Sequence, residues 1–170
     1  MVNCGFKGCK GGLQWHFKTE SGDFMFIGKY EHNIDSKGRV IVPAKFREQL
    51  GSVFYICQEL NNCLSIYKKE DWEAYVEKLN KLPSTNPNAL AFKRFKLSEA
   101  YECVPDNNGR ILIPQSLRDY AGITKEIVST GNGDTIEMWD KNNWEQYRKQ
   151  FNETLNSADM DFSSLSQFGI

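Results

Sequence analysis

DSKGRVIVPAKFREQLG, residues 35–51, returns as DNNGRILIPQSLRDYAG at residues 106–122. Asp35, Gly38, Arg39, Pro43, Arg47 and Gly51 recur as Asp106, Gly109, Arg110, Pro114, Arg118 and Gly122. A second shared block follows each copy: Trp72-Glu73-Ala74-Tyr75 matches Trp144-Glu145-Gln146-Tyr147. The chain is a duplicated module. Its fold and its function therefore have to be argued for two similar surfaces.

Outward from the first copy, residues 26–34 alternate as a strand, and Asp35-Ser36-Lys37-Gly38 reads as a tight turn. Glycine supplies the positive φ such turns need, and aspartate bonds its own turn backbone. Val40–Val42 is a short buried strand. Pro43 opens a helix over residues 44–50 that Gly51 ends. Two strands, residues 53–58 and 64–67, are joined by a turn containing Asn61-Asn62. Trp72, Tyr75, Val76 and Leu79 then share one helix face. Asn86-Pro87 caps a further short helix reaching Lys96. The second copy repeats the sequence of elements, with Gly131-Asn132-Gly133 as its hairpin turn and Trp144, Tyr147 and Phe151 aligned on its last helix. One half alone has too little core, so two halves packed as one pseudo-symmetric domain are expected.

At 170 residues the chain can bury a core without metals or disulfides. Apolar content of 40% and charged content of 25% are those of an ordinary globular protein. No apolar run is long enough to span a membrane. The glycine-rich stretch 1–24 lacks the apolar centre of a secretory signal. A cytoplasmic protein is expected, with Met25 as the natural start; the competing reading makes residues 1–24 a disordered extension. The five cysteines form no C-x-x-C pair, which argues against a zinc ribbon. Cys57 and Cys63 flank a turn and could face each other, but buried free thiols fit a reducing compartment better.

The net charge of −1 does not advertise a nucleic-acid binder. The basic side chains nevertheless cluster at Lys29, Lys37, Arg39, Lys45 and Arg47. In each Asp-x-x-Gly-Arg turn an arginine stands just past a rigid tip, where its donors could reach a base edge or a phosphate. The plainer reading is that Asp and Arg only hold the turn together. Arg47 and Arg118 are open between pairing with neighbouring acids and contacting a ligand. Trp72, Tyr75, Trp144 and Tyr147 obey helical spacing and are expected to face the core. The two histidines, His16 and His32, give thin support to any nucleophile arrangement, and no phosphate loop or metal-ligand spacing is present. No enzyme activity, cofactor, catalytic residue or metal site is expected.

On these residues the chain resembles the MraZ proteins, bacterial transcriptional regulators built of two SpoVT/AbrB-type modules. FMFIGKYEHNIDSKGRVIVPAKFREQLG, DWEAYVEKLNKLPSTN and DNNGRILIP carry the likeness, which covers residues 25 to about 150. The resemblance implies an α+β fold, a duplicated swapped-hairpin β-barrel with short flanking helices and a pseudo-twofold within one chain. The Ser-rich, acidic composition of residues 156–170 predicts a disordered tail; the resemblance implies modules at 29–75 and 100–143, a helical linker at 76–99 and a C-terminal helix at 144–155.

It further implies a homo-oligomeric ring, associated with the nucleoid, that binds double-stranded DNA. The sites would be guanine-rich direct repeats upstream of the division and cell-wall gene cluster. The implied DNA-binding residues are Arg39, Lys37, Arg110, Asn108 and Lys29, with Asp35, Gly38, Asp106 and Gly109 forming the turns. Asn108 stands where the first half has Lys37, which favours the first half if only one reads DNA. Two other classes stay open: an antitoxin-like module, and a scaffolding ring that binds proteins.

Overall fold

The computed structural model describes residues 25–156 and, ahead of them, the backbone of a two-residue pairing between Asn3–Cys4 (β1) and Phe17–Lys18 (β2). Expectations for the rest of the leader and for the tail beyond Asn156 lie outside the described residues. From Phe26 the chain runs β3 (Phe26–Asn33), β4 (Arg39–Ile41), α1 (Ala44–Leu50), β5 (Phe54–Glu59), β6 (Cys63–Lys68), α2 (Lys69–Asn80) and α3 (Pro87–Ser98). The second copy supplies β7 (Tyr101–Cys103), β8 (Arg110–Leu112), α4 (Gln115–Ala121), β9 (Glu126–Gly133), β10 (Thr135–Asp140) and α5 (Lys141–Asn156). The protein is α+β, with five helices around antiparallel sheets among the described residues.

The local causes are those in the sequence. Pro43 and Pro114 precede α1 and α4 with φ of −50° and −52°, and Gly122 ends α4 in the left-handed conformation at φ 66°. The Asn86 side chain accepts from the N–H groups of Asn88 and Ala89, capping α3 with Pro87 in its first turn. Asn61 and Asn62 turn the β5–β6 hairpin at φ 64° and 57°, a region asparagine tolerates better than other side chains.

The pairing between strands is where the halves meet. One six-stranded sheet has the order β3-β9-β10-β6-β5-β7, and β4 pairs with β8 in a separate ribbon. Exchanging β3 for β7, β9 for β5 and β10 for β6 turns the order into itself read backwards, so the sheet carries a pseudo-twofold between β10 and β6. Each half gives its first strand to the other half's sheet: β3 lies on β9, and β7 on β5. Gly131 permits the first of these contacts, since a Cβ there would overlap the backbone of Phe26.

This corrects the expected hairpin turn. Gly131 and Asn132 belong to β9, and Thr135 pairs with Asn132, leaving Gly133-Asp134 as the loop. Gly133, at φ 72°, supplies the positive φ that a two-residue hairpin loop needs.

One face of the sheet buries Phe54, Ile56, Leu64, Ile66 and Ile136 against the inward side of the ribbon and Phe46 and Leu117 of α1 and α4. The other face carries the aromatic helices. Trp72 of α2 stacks on Tyr55 at 5.7 Å and meets Tyr67 at 5.5 Å. Trp144 of α5 packs edge-on against Trp139. The expected core-facing aromatics thus divide: Trp72 is buried and Trp144 partly so, while Tyr147 is 39% exposed and continues with Phe151 and Leu155 as an apolar strip on α5. Cys57, Cys63 and Cys103 are free and buried; the register sets Cys57 against Ser65 and Cys63 against Glu59. Burial raises all three thiols well above their ordinary range, Cys57 and Cys103 to about 12.

Candidate nucleic-acid interface

The two Asp-x-x-Gly-Arg turns share one hydrogen-bond pattern, to which the first adds Arg39 Nη2 at 2.7 Å from Asp35 Oδ2. Asp35 Oδ1 accepts from the N–H groups of Lys37 and Arg39, both at 2.9 Å, and its Oδ2 accepts from Arg39 Nε at 2.8 Å. Asp106 does the same for the N–H groups of Asn108 and Arg110, at 2.8 and 2.9 Å, and for Arg110 Nε at 2.8 Å. The backbone closes each loop: Gly38 N–H donates to Asp35 O, and Gly109 N–H to Asp106 O. The arginine and the turn are therefore fixed by one carboxylate. The Arg39 bonds hold Asp35 well below the usual carboxylate range, at about 2, and the Arg110 bonds lower Asp106.

Each turn also requires its glycine twice over. Gly38 and Gly109 have φ of 77° and 73°, a left-handed conformation that side chains resist. A Cβ on Gly38 would also stand 2.9 Å from the guanidinium carbon of Arg118, and one on Gly109 would overlap the guanidinium of Arg47. So Arg47 and Arg118 reach across the molecule and lie over the turn of the opposite half. Neither forms an ion pair with a carboxylate among the described residues, so of the two readings left open the pairing with a neighbouring acid, Glu48 or Asp119, is not made. Arg118 Nε instead donates to Ile113 O at 3.1 Å. Local spacing could not reveal this, because the contact depends on how the halves exchange strands.

The exchange brings the two arginines together. In the ribbon Arg39 pairs with Leu112, Val40 with Ile111 and Ile41 with Arg110. Val40 and Ile111 point inward and are 1% and 2% exposed. Arg39, Ile41, Arg110 and Leu112 accordingly share the outer face. Arg39 and Arg110 are diagonal neighbours across the ribbon, with backbones roughly 7–8 Å apart. Backbone bonds lock the ends: Val42 N–H donates to Gly109 O at 3.0 Å and Ile113 N–H to Gly38 O at 2.9 Å.

The remaining candidates spread out from this face. Lys37 and Asn108 hold the same exposed place at the two turns. Lys29 is on β3, six residues before Asp35 and about 20 Å away along an extended strand, and it pairs with Glu31 at 2.8 Å. His32, which the sequence flagged only as a doubtful catalyst, fastens the ribbon to the sheet. Its Nδ1 donates to Ile41 O at 2.9 Å, which leaves Nε2 to accept from the Ser129 hydroxyl at 2.8 Å. Burial lowers its pKa. Among the described residues no group of acids, histidines or cysteines could hold a metal, and no helix is long and apolar enough to cross a membrane.

Fold and site together define a class: tandem-repeat α+β proteins whose halves trade strands to build one arginine-bearing ribbon. Comparison with known proteins identifies the member. The chain belongs to the MraZ family, whose model, described as "MraZ protein, putative antitoxin-like", matches it twice, at residues 25–95 and 97–162. It is 48% identical to the transcriptional regulator MraZ of Clostridium tetani, over 84% of this chain and 95% of that one. The transcriptional regulator MraZ of Caldicellulosiruptor bescii is 47% identical over 86% of this chain and all of its own length. That of Caldanaerobacter subterraneus is 46% identical, over 84% and 95%.

Proposed function

We propose that the protein is a non-enzymatic, sequence-specific DNA-binding regulator of transcription. It reads guanine-rich direct repeats upstream of the division and cell-wall gene cluster, near its own promoter, through the two Asp-x-x-Gly-Arg turns. The observation that carries this is the pair of aspartate-anchored arginines on one face of a single ribbon. Each arginine donates its Nε to the aspartate, and Arg39 adds one terminal nitrogen at 2.7 Å from Asp35 Oδ2, which fixes the plane of the fork and leaves further N–H donors of the terminal nitrogens for a ligand. Two donors in one plane match guanine O6 and N7, a contact worth roughly 1–3 kcal/mol of discrimination per base. A two-stranded ribbon fits the width of the major groove.

The exchange of β3 and β7 between halves and the pairing of β4 with β8 support reading the fold as the swapped hairpin of SpoVT/AbrB-type modules, with module bounds at 29–75 and 100–143. Lys37 contacts phosphate beside Arg39, and Asn108 gives the second turn a weaker, uncharged contact. Lys29 is a peripheral backbone contact. A subunit with a net charge of −1 gains affinity by assembling into a homo-oligomer, a ring, that sets several ribbons on successive repeats at high effective concentration. The apolar strip Tyr147, Phe151 and Leu155 supports such an assembly.

Fluorescence anisotropy of the full chain with labelled duplex from upstream of its own gene tests this proposal. Specific, salt-sensitive binding that Arg39→Ala abolishes is expected. Equal binding of scrambled DNA would overturn it. The family's description and the α5 strip favour, as a second reading, an antitoxin-like or scaffolding interaction module. That reading requires a defined small protein to co-purify stoichiometrically while Arg39→Ala leaves gene expression unchanged.

A further inference from the structure

Two aliphatic side chains stand where a solvated ribbon would place polar ones. Ile41 is 54% and Leu112 58% exposed, although Val40 and Ile111 beside them are buried. They are equivalent positions of the two repeats, so the anomaly occurs twice. The register makes their surroundings specific. Leu112 is directly opposite Arg39 and Ile41 directly opposite Arg110, giving a checkerboard of two arginines and two aliphatics on one outward face. Ile41 and Leu112 are themselves diagonal across the ribbon, so the exposed apolar surface is one small patch between the two arginines, and the strands they occupy are short and locked at both ends.

We infer that Ile41 and Leu112 are base-reading residues that contact the 5-methyl group of thymines neighbouring the guanines. The inference rests on the DNA-binding reading above and deepens it. A ribbon seated by its arginines in the major groove brings this face against base edges. The apolar feature offered there is the thymine methyl, alongside the donors and acceptors that the arginines address. With side chains directly opposite across the ribbon close enough to touch, an arginine on one base pair places its aliphatic neighbour on the same or the adjacent pair. The site would then require thymine beside guanine, not guanine alone.

The test replaces each thymine of the labelled upstream duplex, one at a time, by deoxyuridine, which removes the methyl and keeps the pairing. Full-length protein should lose about fourfold in affinity at one or more positions, the effect of burying one methyl group. The double variant Ile41→Ala with Leu112→Ala should bind unmodified DNA more weakly and lose nothing further on deoxyuridine substitution. Its thermal melting and sedimentation should match the parent. If every substituted duplex binds at full affinity while Arg39→Ala still abolishes binding, methyl reading is wrong and the regulator proposal survives. If the double variant keeps the methyl discrimination, or its main change is in oligomeric state, the aliphatics serve another surface and the inference fails. Loss of all preference for upstream DNA in the parent protein overturns both.

Discussion

Asp35 performs three tasks with one carboxylate, closing the turn, orienting Arg39 and fixing the protonation of the pair. Because its pKa is depressed, the turn's electrostatic stabilisation is complete above the ordinary carboxylate value of 3.8 and is lost only as pH falls through about 2. Carboxyl-resolved NMR titration should show Asp35 still ionised at pH 3, with Asp106 also below its ordinary value. Asp35→Asn should preserve the loop but release the arginine, lowering DNA affinity more than stability. His32 responds with the opposite charge logic and the same sign. Its burial disfavours the imidazolium, so the unfolded chain takes up a proton first and stability declines as pH drops below 6.5. Thermal melting between pH 7.5 and 5 should show this slope, and His32→Gln should flatten it. At Gly38 and Gly109 a methyl group meets both an unfavourable φ and an arginine. Alanine at either position should cost roughly 1–3 kcal/mol in urea unfolding, Gly109 the more because its Cβ overlaps Arg47.

At the scale of elements, α3 is held by a buried ion pair. Lys96 is 1% exposed; its ammonium bonds Glu59 Oε2 and donates to Gln58 O at 3.1 Å. Ser65 donates to the same carboxylate oxygen at 2.9 Å. Lys96→Met leaves Glu59 partly buried without its partner and should cost roughly 2–4 kcal/mol. The double change with Glu59→Gln should recover part of that loss, measured by denaturant titration. Much at this scale was legible beforehand. The prolines, glycines and asparagines that start and stop elements act locally, so β3 to β6, their second copies and the capped α3 stand where the pattern set them. The β9–β10 loop was displaced, because glycine at 131 serves a close approach of β3 and not a turn. Nor could spacing show that Arg47 and Arg118 cross to the opposite half, or that β4 meets β8. Those are consequences of partner choice, which hydrophobic alternation leaves undetermined.

For the whole molecule, the duplication is more than two copies of one site. Each turn is roofed by the other half's arginine, and each half's first strand lies on the other half's sheet. A fragment ending at residue 99 keeps Asp35 and Arg39 but lacks β8, β9 and Arg118, so its DNA affinity should fall to background and its amide spectrum should lack strand dispersion.

The strand exchange also bears on synthesis. His32 pairs across the ladder with Ile127, so the partner of the first strand leaves the ribosome only when most of the chain is made. Until β8 at residues 110–112 has emerged, the nascent chain has no ribbon. A message cut short or a stalled ribosome therefore yields no chain with a finished ribbon. The ribbon and the six-stranded sheet are complete only once the second repeat has been translated, so the fold itself acts as a completeness check on the two repeats.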